Sequence, residues 1–148
     1  MTLWQTEANP WLWVWIPGKA IPQGSLKGFI AGGKVVMRHS DDRLIAWRGY
    51  AAGLISQVAS DSLGEAAVKV TATFHVERPK SHFTSKGELR ANAPKVPTSR
   101  PDLDKYLRAI LDSLTISGLI KDDSQVVAIG AAKVYGADAG VALSVDPL

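Results

Sequence analysis

Residues 101–118 read Pro-Asp-Leu-Asp-Lys-Tyr-Leu-Arg-Ala-Ile-Leu-Asp-Ser-Leu-Thr-Ile-Ser-Gly, the most regular segment of the chain. Its leucines and isoleucines recur every three or four residues, which is the spacing of one apolar stripe along a helix. Gly118 interrupts the pattern, and a glycine commonly follows the last residue of a helix. The sequence therefore predicts a helix over residues 103–117 that packs its stripe against another layer.

Outward from this helix, the chain alternates between strand and helix patterns. Residues 66–77 alternate apolar and polar side chains, which is typical of a strand with one buried face. Further strand patterns occupy residues 11–16, 125–135 and 140–146, a Gly-Gly hairpin occupies residues 29–37, and a second helical stripe occupies residues 43–59. This order predicts a single α+β domain over residues 1–148, with two main helices packed on one face of a mixed β-sheet.

The first strand pattern is apolar on both faces. Trp11-Leu-Trp-Val-Trp-Ile alternates large rings with aliphatic side chains. Such a strand is either buried on both sides or lies partly in an interface. We expect its tryptophans to be core or dimer contacts rather than platforms for stacked bases.

Several kinds of chemistry are excluded by what the chain lacks. It has no cysteine, which excludes disulfides, thiolate metal sites, iron–sulfur clusters and thiol nucleophiles. No apolar run approaches the roughly 20 residues that span a bilayer. The first ten residues lack the basic and apolar pattern of a signal peptide. We therefore expect a cytoplasmic protein with no membrane partner.

Charge is distributed unevenly along the chain. Residues 1–101 contain 13 Lys and Arg against 7 Asp and Glu, whereas residues 102–148 contain 4 Lys and Arg against 7 Asp. A basic body with an acidic focus suits a protein that binds a polyanion and holds a cation at one point. Scatter in a short sequence is the alternative explanation.

The acidic focus contains three carboxylates suited to a metal ion. Asp102 and Asp104 begin the predicted helix, and Asp123 follows it in a turn. If the fold brings them together, they would hold Mg²⁺, which prefers oxygen ligands and activates water for attack on a phosphodiester. Lys105 and Arg108 are the nearby cations that could stabilise the negative charge added by that attack.

The residues alone leave a simpler interpretation open. Asp102 is also a typical helix cap, and Asp122-Asp123 a typical turn. A helix of 15 residues is about 22 Å long, so its two ends do not meet by default. Helical spacing also lets Arg108 pair with either Asp104 or Asp112, so we expect Asp112 to support the site without binding the metal.

Two motifs in combination carry a resemblance to a known family. Arg100-Pro-Asp-Leu-Asp-Lys-Tyr-Leu-Arg-Ala-Ile-Leu-Asp-Ser-Leu is followed by Lys121-Asp-Asp-Ser-Gln-Val-Val. Together they resemble the signature of the RusA family of Holliday-junction resolvases. Residues 16–29 with Ala46-Trp-Arg, and residues 78–83, resemble the phage-borne branch of that family. The likeness covers roughly residues 14–135.

The resemblance implies a homodimeric, Mg²⁺-dependent endodeoxyribonuclease of phage or prophage origin, in which Mn²⁺ can substitute. Such enzymes act in recombination and repair, without an organic cofactor, by placing paired symmetric nicks in four-way DNA junctions. Asp102, Asp104 and Asp123 correspond to the metal-binding, catalytic carboxylates of the family.

Other site positions depart from the family pattern or match it less specifically. Arg108 occupies the position of a catalytic lysine, and Lys105 that of a commoner asparagine. Lysine and arginine are not interchangeable at a phosphate contact, so either residue could supply the cation. Asp112 and Asp122 match further recurrent acids and are assigned a supporting role.

Under this resemblance, the segment 78–101 becomes a DNA-contacting loop. It has no apolar periodicity and carries six basic residues against one acidic residue. Phosphate contacts of this kind position DNA without reading its sequence. The basic residues are Arg78, Lys80, Lys86, Arg90, Lys95 and Arg100. Lys19 and Lys27 flank a second candidate edge for phosphate binding, and in both places an ordinary surface loop is the alternative.

Two other functions stay open at this point. The same chemistry could act on other branched DNA, such as flaps and replication forks. The departures at Lys105 and Arg108 also allow a junction-binding protein that has lost turnover. The retained carboxylates argue against that loss, because without a metal they repel one another.

Overall fold

The computed structural model describes residues 10–24, 27–38 and 41–148, which form a mixed sheet, a hairpin and two long helices. In chain order the elements are β1 (Leu12–Pro17), β2 (Lys27–Ala31), β3 (Lys34–Arg38), α1 (Asp42–Val58), β4 (Val68–Val76), α2 (Leu103–Ile116), β5 (Val126–Tyr135) and β6 (Gly140–Pro147). The sheet has the order β1-β6-β4-β5, in which β4 and β5 are parallel and the other neighbours antiparallel. The predicted α+β fold is confirmed.

The core lies between one face of the sheet and the two helices. Alternate residues of the strands point into it, so the register pairs Val14 with Leu143 and Ala72 with the same Leu143. The predicted stripe of α2 fills the other side, where Ile110 and Leu114 are fully buried. Burial of one such side chain contributes about 1.5–3 kcal/mol, so this interface holds α2 on the sheet.

Strand β1 is buried on only one face. Leu12, Val14 and Ile16 lie in the core, whereas Trp11 and Trp13 are 43% and 55% exposed. Within one chain, the expectation of burial on both faces is therefore wrong, because the two helices cover only one side of the sheet. The second expectation, that this strand lies partly in an interface, stays a prediction.

The hairpin follows its predicted turn. Gly32 and Gly33 have φ of 59° and 76°, the left-handed conformation that a two-residue type I′ turn requires at both positions. In the described ranges, no helix is both long enough and apolar enough to cross a membrane.

The crossover between the parallel strands decides where the predicted site lies. The chain leaves β4, passes through the basic loop and α2, and returns along β5. Lys133, near the end of β5, bonds to the carbonyl oxygen of Pro101, so α2 begins beside the carboxyl ends of the parallel strands. Ligand sites of sheets with parallel strands commonly lie at that edge.

Candidate active site

Asp102 and Asp104 stand at the first turn of α2 with their carboxylates open to solvent. Asp102 occupies the position before the helix, yet its side chain makes no capping hydrogen bond. The side chains of Asp102 and Asp104 are 55% and 64% exposed. Both carboxylates are therefore available to a ligand, and the simple capping interpretation of Asp102 does not describe its side chain.

Each of these carboxylates has one cation from the same helix beside it. Lys105 Nζ lies 3.6 Å from Asp102 Oδ2, and Arg108 Nη2 lies 3.8 Å from Asp104 Oδ2. Both pairs are exposed and long, so each contributes little to stability. Of the two partners that helical spacing allows Arg108, the structure shows Asp104, so the two candidate cations lie directly beside the two acids.

The second acidic pair lies at the other end of α2. Asp123 Oδ1 accepts a hydrogen bond of 2.8 Å from Thr115 Oγ1, in the last turn of the helix. Asp122 caps the short 3₁₀ turn Asp123–Gln125, where its carboxylate accepts from the backbone and side chain of Ser124. These bonds hold the pKa of Asp122 below its usual value. Asp122 is therefore engaged as a turn residue.

A single chain does not bring the three predicted metal ligands together. Thr115 is eleven residues beyond Asp104, which corresponds to about 16 Å along the helix axis. Among the described residues, no group of three or more carboxylate or histidine side chains is close enough to hold one metal ion. The convergence of Asp102, Asp104 and Asp123 stays a prediction, and one protomer alone does not provide it.

Asp112 is held by partners other than Arg108. Its Oδ2 atom accepts 2.8 Å hydrogen bonds from Arg48 Nη1 of α1 and from Gln23 Nε2. Arg48 is only 15% exposed at its side chain, so this ion pair is largely shielded from water. The contact ties α1, α2 and the segment after β1 together, which places Asp112 in the framework behind the candidate site.

The basic loop has internal order. Thr84 and Glu88 exchange hydrogen bonds around a turn, and Phe83 bridges to Leu89. Of the predicted phosphate-binding residues, Lys80, Lys86, Lys95, Arg100 and Lys19 are exposed, Arg90 is exposed with Nε bound to a backbone carbonyl, and Arg78 is half-buried. Lys27 opens β2, and its side chain falls outside what the structure describes.

One cation beside the first acidic pair escaped the sequence analysis. Lys133 Nζ donates to the carbonyl oxygens of Ser99 and Pro101, at 2.8 and 2.9 Å. These contacts fix the backbone directly before Asp102. The only signal in the sequence is a lone lysine inside the apolar and small-residue strand β5, which also fits an ordinary solvent-facing position.

Comparison with known proteins finds a matching family and a relative. A family model described as endodeoxyribonuclease RusA matches residues 17–146, nearly the whole chain. The match includes both long helices, the basic loop and both acidic pairs. The uncharacterized protein YqaN of Bacillus subtilis (strain 168) is 32% identical over 121 residues, which cover 80% of this chain and 83% of that protein.

Proposed function

The chain belongs to the RusA family of Holliday-junction endodeoxyribonucleases, and from this premise we propose that it resolves four-way DNA junctions by paired, Mg²⁺-dependent nicks. The proposal rests on the exposed carboxylates of Asp102 and Asp104, which lie at the carboxyl edge of β4 and β5 beside Lys105 and Arg108. Asp102 is not used as a helix cap, because its side chain makes no capping hydrogen bond. Carboxylate oxygens are the ligands that Mg²⁺ takes in proteins, commonly one or two together with substrate phosphates.

Asp102 and Asp104 would hold the metal ion in this proposal. When bound, Mg²⁺ polarises the phosphodiester and lowers the pKa of a coordinated water. Arg108 and Lys105 are within reach of the same carboxylates and carry the positive charge that the attacked phosphate needs as its negative charge grows. Mn²⁺ has similar ligand preferences and is expected to substitute.

The third carboxylate reaches the site from a second copy of the chain in this proposal. Thr115, which Asp123 contacts, lies about 16 Å beyond Asp104 along the axis of α2, so one chain does not place both carboxylates on one ion. An antiparallel arrangement of two α2 helices would bring the partner's Asp123 beside Asp102 and Asp104 at both ends.

A four-way junction is the substrate that such a dimer fits. Two equivalent sites related by a two-fold axis match the symmetry of the junction, so two strands are cut at corresponding positions. The exposed basic residues of loop 78–101 would neutralise phosphates on either side.

Competition between three substrates tests the choice of target. A four-way junction, a flap and a linear duplex of the same length, each labelled with a different dye, compete for limiting protein in Mg²⁺. We expect the junction to be cut first and at two symmetric positions. Equal cutting of all three would remove the junction assignment, and preferred cutting of the flap would replace it.

A further inference from the structure

A cavity of about 780 Å³ opens beside the beginning of α2. Its volume is in the range of small-molecule sites in proteins, about 300–1,000 Å³. As far as the described residues define its wall, the lining includes four Lys or Arg residues and two acidic residues. They are Lys19, Arg78, Arg100 and Lys133 against Glu77 and Asp138. The concavity therefore has an excess of positive charge and would attract anions.

Lys133 is the most firmly placed of these cations. Two of its three ammonium donors are bound to the carbonyl oxygens of Ser99 and Pro101. No carboxylate among the described residues lies within ion-pair distance of it. One donor and the full charge are therefore left for a ligand, and they are fixed next to the residue that precedes Asp102.

Arg78 is placed in a comparable way from the end of β4. Its Nη1 atom donates to the carbonyl oxygen of Pro94 at 2.7 Å and contacts His82 Nδ1 at 3.2 Å. The guanidinium carbon lies 4.2 Å from the centre of the Tyr135 ring. Carbonyl and ring contacts orient a guanidinium without neutralising it, and none of the described carboxylates pairs with Arg78.

We propose that this cavity is a phosphodiester subsite, in which Lys133 and Arg78 bind one phosphate of the strand that is cut at Asp102 and Asp104. The inference rests on the proposed function and identifies where the substrate strand is gripped. Lys105 and Arg108 already have carboxylates beside them, whereas Lys133 and Arg78 have only neutral groups. Because the protein already orders both cations, they lose little side-chain entropy when a phosphate binds.

The test uses Lys133→Gln and Arg78→Gln, each of which removes one charge and leaves a shorter, uncharged side chain with an amide donor. Binding of each protein to a synthetic four-way junction is measured in EDTA, so that cutting does not interfere, between about 50 and 200 mM salt. A plot of log K against log salt has a negative slope, and loss of one phosphate contact should make that slope shallower by about 0.9. We expect affinity at low salt to fall about tenfold for each variant, as for the loss of one charge-assisted hydrogen bond.

Arg43→Gln is the matched control, because it removes the same charge from the start of α1, where Arg43 pairs with Asp41 at 3.0 Å. Its slope should equal that of the wild type. If Lys133 only supports the loop structure, Lys133→Gln should lower the melting temperature and leave the salt slope unchanged. If that variant does not fold, Arg78→Gln decides the question.

The outcomes separate this inference from the proposed function. Reduced slopes in the two cavity variants, beside an unchanged control, would support the subsite. Wild-type slopes in both would overturn the subsite while leaving junction cleavage standing. A wild-type protein that does not bind the junction would overturn both.

Discussion

Mixing two inactive variants tests whether the catalytic carboxylates come from two protomers. Asp104→Asn and Asp123→Asn each remove one proposed ligand, and each homodimer should be inactive. Two oxygens on one Mg²⁺ lie about 4 Å apart at most, because Mg–O distances are about 2.1 Å. Asp123 contacts Thr115, which lies about 16 Å beyond Asp104 along the axis of α2. Within one chain, the described residues therefore do not bring these carboxylates together on one ion.

The mixed dimer has a specific and countable activity. One of its two sites combines both substitutions, whereas the other combines an intact Asp104 with the partner's intact Asp123. Random exchange of equal amounts gives about half mixed dimers, so about a quarter of the wild-type number of sites should be active. Each mixed dimer has one working site, and it should leave single nicks rather than resolved junctions.

The assay mixes the two variants under conditions that allow subunit exchange and follows nicking of a labelled junction in Mg²⁺. An equal mixture of Asp102→Asn and Asp104→Asn is the matched control, since both substitutions then fall on the same side of the site and no intact site can form. Nicking restored in the first mixture alone is the expected result. If neither mixture cuts, while both variants dimerise normally, the proposal that the sites are shared between protomers is refuted.

Three further predictions concern stability. Gly140→Ala should lower the free energy of unfolding by about 1–3 kcal/mol, because a Cβ there would overlap the Trp15 ring and lie 2.9 Å from the Ile16 carbonyl oxygen. Gly53→Ala, in open space on α1, should raise the free energy of unfolding by about 0.5–1 kcal/mol. Urea unfolding compares the two variants. Arg48→Met should lower the free energy of unfolding by about 1–3 kcal/mol, because it leaves Asp112 without its ion pair. A double-mutant cycle with Asp112→Asn should show a coupling energy well above about 0.5 kcal/mol. Additive losses in the cycle would contradict the pairing. Burial raises the pKa of the Tyr106 phenol above its ordinary value of about 10, so its stabilising contribution should be complete below that pH and be lost as pH rises through the folded-state pKa. Between about pH 9 and 11, Tyr106→Phe should therefore lose less stability than the wild type. Parallel plots of unfolding free energy against pH for the two proteins would contradict this prediction.

The sequence was most informative where local pattern and tertiary structure agree. The stripe from Leu103 to Leu114 predicts α2 within one residue of its observed end, because a single apolar face must be buried whatever covers it. The strand pattern of β4 and the Gly32-Gly33 turn are also confirmed. Each rests on local backbone geometry that a few residues determine. The match of residues 17–146 to the RusA family confirms the predicted family.

The sequence was least informative where distance in the fold decides. The spacing places Asp104 and Asp123 at opposite ends of α2 but does not reveal whether the fold brings them together, because a turn after a helix can return along it or continue into the next strand. Here Asp123 continues directly into β5 at the far edge. Burial of β1 depends on which side the helices occupy, and its exposed Trp13 shows a face that the chain itself leaves uncovered.

Lys133 illustrates a third limit. Its value to the candidate site comes from carbonyl oxygens more than 30 residues away in sequence. No periodicity or motif marks such a contact, because any side chain on that face of β5 would satisfy the strand pattern. Only the packed crossover shows that this lysine, rather than one on α2, supports the backbone before Asp102.

One cleavage assay decides whether the exposed acidic pair on α2 is a metal-dependent junction-cutting site. A synthetic four-way junction, labelled on each arm in turn, is incubated with the wild type in Mg²⁺ and in EDTA, and with Asp104→Asn in Mg²⁺. We expect symmetric nicks on two strands with the wild type in Mg²⁺ only, and none with the variant. Nicks that persist in EDTA, or that Asp104→Asn makes at the wild-type rate, would contradict it.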